Sequence, residues 1–109
     1  MDYLIEKISE DSGTTIYTVR YEDLEAQGLD CLLPDSDKSM LVIQCRHGML
    51  LCRLFNTPVF SQLNIAAAIF SAPKLKDLLE NKPLGLSEPA IAMGATTEMT
   101  GLELLKLFS

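Results

Sequence analysis

Met40-Leu41-Val42-Ile43-Gln44-Cys45-Arg46-His47-Gly48-Met49-Leu50-Leu51-Cys52-Arg53-Leu54-Phe55 is the stretch that decides the fold. Apolar residues alternate with mixed ones on both sides of His47-Gly48, the period of a pleated strand. The stretch therefore reads as a hairpin of strands 40–45 and 49–55. With His47-Gly48 as a two-residue turn, Ile43 faces Cys52, Cys45 faces Leu50 and Leu41 faces Leu54. One face is then Leu41, Ile43, Cys45, Leu50, Cys52 and Leu54, which is wholly apolar. Met40, Val42, Gln44, Leu51, Arg53 and Phe55 make the other face, which is mixed. A slip of one residue would turn the apolar set to the wrong side, so this register is favoured. The hairpin is expected to form the core.

Towards the N-terminus, residues 3–8 and 14–21 are rich in Tyr, Ile, Thr and Val, and the turn signal Glu10-Asp11-Ser12-Gly13 separates them. They predict a first hairpin. Its second strand sets Thr15, Tyr17, Val19 and Tyr21 against Ile16, Thr18 and Arg20, and neither set is plainly polar. Such a strand suits a sheet covered on both sides, by helices or by another subunit. Between the two hairpins, residues 22–38 hold six carboxylates against Lys38 alone, with Gly28 and Pro34. This acidic segment is expected to be a surface excursion or a short edge helix.

Towards the C-terminus, Thr57-Pro58 reads as an N-cap and first helical residue of a short helix through Leu63. Ile65 to Phe70 is short, apolar and uncharged, a buried strand. Pro73 opens a helix with Leu75, Leu78 and Leu79 on one face, ending before Pro83. Ser87 begins another, with Ile91 inward and Gly94 as its stop. Thr96 to Met99 reads as a short last strand. Thr100-Gly101-Leu102-Glu103 is a capping box, and Leu102, Leu105 and Phe108 follow at helical spacing. The predicted fold is a single small α+β domain over residues 1–109, with N-terminal antiparallel β-hairpins followed by alternating short helices and strands.

The composition narrows the function classes. The chain has 109 residues, 48% of them hydrophobic and 22% charged, enough aliphatic content for a packed core. Lys and Arg number 9 against 15 Asp and Glu, a net charge of −6, the wrong sign for a protein that neutralises phosphates or anionic lipid. Neither nucleic acid nor membrane is therefore expected as a partner. The first seven residues lack a basic n-region and an apolar h-region. The longest uncharged run, Leu54 to Pro73, carries Asn56, Gln62 and Asn64 and does not suit a membrane span. Cys31, Cys45 and Cys52 are an odd set without a C-x-x-C pair, which favours reduced thiols and a cytoplasmic location.

Few residues offer chemistry. Cys52 is the candidate nucleophile or redox thiol, a role that needs a base, a cation or a helix N-terminus close by. Arg53 is adjacent in sequence but on the opposite face of a strand. His47, the sole histidine, stands about 16 Å away along the strand, so only a neighbouring subunit could bring a histidine to Cys52. Asn56 and Thr57, at the helix start beyond Cys52, leave room for an anion, and Cys52, Asn56 and Thr57 are the expected ligand-binding set. The plainer and preferred reading of Cys52 is a buried small hydrophobe. Cys45 and Cys52 are diagonal in this register, about 7–8 Å apart, too far for a disulfide. Asp35-Ser36-Asp37 begins like a calcium loop but lacks its remaining ligands, and one His with scattered Cys gives no zinc spacing. No phosphate loop, dinucleotide fingerprint or nucleophile elbow occurs, so neither metal nor cofactor is expected.

His47-Gly48-Met49-Leu50-Leu51-Cys52, Leu54-Phe55-Asn56, Asp77-Leu78-Leu79 with Pro83-Leu84, Ala90, Gly94, and Met99-Thr100-Gly101-Leu102-Glu103-Leu104-Leu105 follow one another in order. Over about residues 38–108 this order resembles the YunC-like family, a bacterial and archaeal domain of unknown function. The resemblance implies an α+β domain that assembles through β-structure near its N-terminus. Three positions depart from that family. Arg53 replaces the glycine usual after the cysteine, Ala68-Ile69-Phe70-Ser71 replaces a frequent Arg-x-x-Gly element, and Glu98 stands where glycine is usual. Against the family pattern the 22–38 segment reads as an insertion.

The sequence thus predicts a cytoplasmic homo-oligomer, associating through β-strands and serving as a non-catalytic binding or scaffold module. A domain of this length buries only about 65% of its unfolded surface, so much apolar area must end exposed or in an interface. The alternative is a cysteine-dependent enzyme in which Cys52 acts with His47 or Arg53 from a neighbouring subunit.

Overall fold

A computed structural model describes residues 3–109. Among these residues, seven strands form one sheet in sequence order: β1 (Tyr3–Asp11), β2 (Thr14–Tyr21), β3 (Leu24–Leu32), β4 (Ser39–Gln44), β5 (Met49–Cys52), β6 (Ala67–Phe70) and β7 (Gly85–Leu86). The described residues also form four short helices, α1 (Thr57–Gln62) and α2 (Asp77–Glu80) between strands and α3 (Glu88–Ala92) and α4 (Gly101–Phe108) after the last strand. The fold is α+β, N-terminal hairpins first and short helices alternating with strands after them, as the sequence pattern predicts.

The β1–β2 hairpin turns on Ser12-Gly13, both at positive φ (52° and 85°), the backbone twist that fits a two-residue hairpin loop. The acidic segment differs from expectation. Residues 24–32 are not a surface excursion or a helix but the third strand, paired with both β2 and β4. Leu24, Ala26 and Gly28 alternate inward while Glu25 and Gln27 point to water, so a period of two runs beneath the acidic composition. Most of the charge falls in the connections, at Glu22-Asp23 and in the exposed turn at 34–38. Gly28 completes the pattern, because a Cβ there would press on Leu75 Cδ2 at 2.9 Å.

The central hairpin keeps its faces but changes register. Val42 pairs with Leu51, Ile43 with Leu50 and Gln44 with Met49, and Cys45 N–H donates to Gly48 O at 2.9 Å. The bend therefore lies on Arg46-His47, one residue before the expected dipeptide. Each pairing slides by two, which preserves which side chains face inward. Leu41, Ile43, Cys45, Leu50 and Cys52 are all buried. Leu54 is not: β5 stops at Cys52, and Leu54 is 56% exposed. Cys52 now stands opposite Leu41, so four residues of strand, about 13 Å, separate it from the level of Cys45. Cys31, Cys45 and Cys52 are all free.

Beyond the hairpin, β6 returns parallel to β5 through α1, and β7 pairs antiparallel with β6. Asn56, not Thr57, caps α1, its side chain accepting from Val59 N–H at 3.2 Å, and Pro58 stands second in the helix. Pro73 to Lys76 is turn, and only Asp77–Glu80 is α-helix, although Leu75, Leu78 and Leu79 are buried as expected. Ser87 precedes α3 without capping it. Its hydroxyl instead donates to Ile65 O and accepts from Ala67 N–H, each at 2.8 Å. Ala90 rather than Ile91 is the buried residue of that helix, and Gly94 ends it at φ 102°. Residues 96–99 form a turn, not a strand. The capping box at Thr100 and Glu103 is present.

One face of the sheet packs against α2 and α4, with Val19, Ile43, Leu50 and Phe70 meeting Leu78, Leu79, Leu105 and Phe108. On the opposite face, Phe60 of α1 and the preceding Phe55 pack with Leu51, Ala67 and Ile69 of β5 and β6, and Val42 and Met49 join this cluster partly buried. Among the described residues, this second cluster takes in none of β1, β2 or β3. Among the described residues, no helix is long and apolar enough to cross a membrane.

A cleft at the carboxyl ends of the parallel strands

Strands β5 and β6 run side by side and end together at Cys52 and Phe70. The chain leaving β5 turns to one face to form α1, and the chain leaving β6 turns to the other to form α2. Connections that diverge from adjacent parallel strands leave a crevice between them, the place where open sheets hold ligands. Here the crevice is a cleft of about 530 Å³. The β5 end supplies Cys52, Arg53 and Leu54, and the β6 end supplies Ser71, Ala72 and Pro73. The start of β4 closes it with Asp37, Lys38 and Ser39.

The candidate residues separate into two groups. Cys52 and Arg53 both line the cleft. Cys52 is 3% exposed, and its sulfur accepts the N–H of Leu41 at 3.3 Å, so the thiol is engaged with the backbone of the neighbouring strand. Arg53 is exposed, and among the described residues no carboxylate lies within ion-pair distance of it. Lys38 and Asp37 stand 4.0 Å apart on the outer lip, both highly exposed, a weak and screened pair.

His47, Asn56 and Thr57 belong elsewhere. His47 lies in the exposed bend at the other end of β5, where its N–H donates to Phe108 O at 2.6 Å. Asn56 is occupied in capping α1, and Thr57 packs its methyl towards Gly85. A cysteine–histidine pair within one chain is therefore not formed. Among the described residues, no three His, Cys, Asp or Glu side chains gather as metal ligands would. Lys38, Ser39 and Ser71 are cleft residues that sequence patterns leave unmarked, since the site depends on which faces two helices take.

The other inward thiol lies outside the cleft. Desolvation by burial pushes the Cys45 thiol up to about 12. It stays protonated at neutral pH and packs as a small hydrophobe.

No family model matches the chain, and no curated relative does. Among solved structures it is similar to the crystal structure of a protein of unknown function, TA1206, from Thermoplasma acidophilum. The two superpose with a TM-score of 0.78 at 15% identity, covering 93% of this chain and 100% of that one. That similarity establishes the fold. At this identity it carries no activity across.

Proposed function

We propose that this is a cytoplasmic, self-associating, non-catalytic binding or scaffold protein. The observation that carries the reading is the uncovered outer face of β1–β4. The registers align Ile16, Leu29, Val42 and Leu51 in one row across four strands. Leu51 lies beneath α1, whereas Ile16, Leu29 and Val42 are only half-buried, and Ile8 beside them is 57% exposed. An apolar row that runs out from under its helix onto an open sheet marks an interaction surface. Arg20 is held between Glu6 and Glu25 at the margin, which reduces the charge beside the row to one net negative.

The face also has the shape for a second copy. Because α1 packs on β5 and β6, it stands beside an open ledge one helix deep. Two copies related by a two-fold axis would each seat α1, with its exposed Val59, on the other's ledge. Sedimentation velocity is expected to give a species of twice the 12.0 kDa chain mass at micromolar concentration. Ile8→Glu with Leu29→Glu is expected to return it to monomer. A monomeric wild type at about 50 μM, far above the Kd of an ordinary stable dimer, overturns the reading.

Kinship with the YunC-like family over residues 38–108 belongs to the same proposal. Two of the glycines that carry it stand where packing demands glycine: Gly48 beneath Phe108, and Gly101 against the Leu78 carbonyl. That supports reading the shared residues as structural. The alternative, a Cys52 thiolate enzyme completed by a neighbouring subunit, has in its favour that Arg53 lines the same cleft. The engagement of the Cys52 sulfur by Leu41 N–H favours the non-catalytic reading. Localisation in the cytoplasm rests on the three free thiols.

A further inference from the structure

We propose that the cleft between the carboxyl ends of β5 and β6 binds a small oxyanion, the carboxylate or phosphate group of a compact molecule, through Arg53 and Lys38. The inference goes beyond self-association and stands without it.

Three independent features converge there. The first is position: the cleft opens where the connections after two parallel strands part to opposite faces, so its existence follows from the topology rather than from one loop. The second is size, since about 530 Å³ is in the range of small-molecule sites. The third is charge. The protein carries −6, yet the cleft sets two cations against the single carboxylate of Asp37.

Of the three arginines, Arg20 is ion-paired while, among the described residues, Arg46 and Arg53 are not, and of these two only Arg53 lines the cleft. Arg20, on the open sheet face, is held by Glu6 and Glu25 at 3.0 and 3.1 Å. Arg53, at the cleft, has no such partner among the described residues. A planar guanidinium left unpaired beside a cleft is suited to a bidentate oxyanion. Lys38 can leave its 4.0 Å contact with Asp37 at little cost, because both groups are solvated. Ser39 and Ser71 belong to the same lining and carry neutral donors, while Cys52, Ala72 and Pro73 add apolar character to it.

The test is an amide NMR titration of the intact chain with inorganic phosphate and, separately, acetate, against sodium chloride at equal ionic strength. Saturable shifts at Arg53, Leu54, Ser71 and Ala72 with a midpoint of roughly 1–10 mM are expected for at least one oxyanion. Saturation by phosphate alone assigns a phosphate-bearing ligand, and by acetate alone a carboxylate. Arg53→Ala, a change at an exposed position, is expected to raise the midpoint about tenfold, and Lys38→Ala by less. Shifts that never saturate, that match the chloride control, or that survive Arg53→Ala unchanged overturn the proposal.

Discussion

The ring of Phe108 lies directly on the α-carbon of Gly48: a Cβ at position 48 would overlap three carbons of that ring. The neighbouring His47 N–H donates to the Phe108 carbonyl. The central bend and the last helical turn are thus one packed unit, although 60 residues separate them in the chain. This contact accounts for the bend settling on Arg46-His47, with Gly48 inside the ladder under the helix.

Gly48→Ala is expected to cost about 1–3 kcal/mol in urea denaturation, because the ring must move out of a packed site. Phe108→Ala removes a fully buried side chain and is expected to cost about 3–5 kcal/mol. In the Phe108→Ala background the Gly48→Ala change should cost much less than alone. Additive costs would show that the two residues are not coupled.

Ser87 is completely buried, and its hydroxyl serves one donor and one acceptor of the segment that leads into β6. Ser87→Ala leaves Ala67 N–H facing a methyl group in the interior. The expected loss is about 1–3 kcal/mol, the desolvation cost of an unmet buried group. A loss below about 0.5 kcal/mol in equilibrium unfolding would mean that the backbone finds another partner.

Alkaline pH should unfold this protein earlier than its charge suggests. Burial pushes the Cys45 thiol from 9.0 to about 12. Burial, then the Glu80 carboxylate that accepts its hydrogen bond, pushes the Tyr3 phenol from 10.0 to about 12. The folded state therefore keeps protons that the unfolded chain releases above pH 9. Stability from these groups is complete below pH 9 and is lost as pH rises towards 12. Cys45 alone gives a slope of about 1.4 kcal/mol per pH unit in that window. Thermal unfolding should show a Tm level to about pH 8.5 and falling beyond it, more gently in Cys45→Ala. A Tm that holds to pH 11 contradicts this.

The three thiols should react with iodoacetamide in a fixed order. Cys31 is half-buried on the open sheet face and is expected to react first. Cys45 and Cys52 should stay silent until urea unfolds the chain, since access limits both. Rapid native-state alkylation of Cys52 below pH 7 would instead favour the enzyme reading. Peptide mapping of the labelled protein separates the cases.

How much of the molecule is legible in the sequence follows from the range of each interaction. The alternation of Leu41, Ile43 and Cys45 with Leu50 and Cys52 fixes which faces are inward, because the side-chain period of a strand is a local property. The Thr100–Glu103 capping box is local in the same way and reads correctly. The turn signal at Glu10-Asp11-Ser12-Gly13 locates the first hairpin, but Glu10 and Asp11 extend β1 and only Ser12-Gly13 turn. The strand at 24–32 is not legible, since its acidic composition hides an alternation whose inward members include Gly28. Only a neighbour, Leu75, explains why that position carries no side chain. Leu54 misleads because a strand phase assigns a face only while the strand lasts, and β5 ends at Cys52. Ile91 lies within α3, but this five-residue helix turns Ala90 rather than Ile91 inward.

The sequence by itself determined the α+β class, the inward thiols and the capped final helix, each through contacts a few residues long. Tertiary structure alone decided the register of the central hairpin, through a ring 60 residues away. It also decided the cleft beside Arg53, through the opposite faces taken by two helices. Long-range packing selects among registers and crossings that local preferences leave nearly equal in energy.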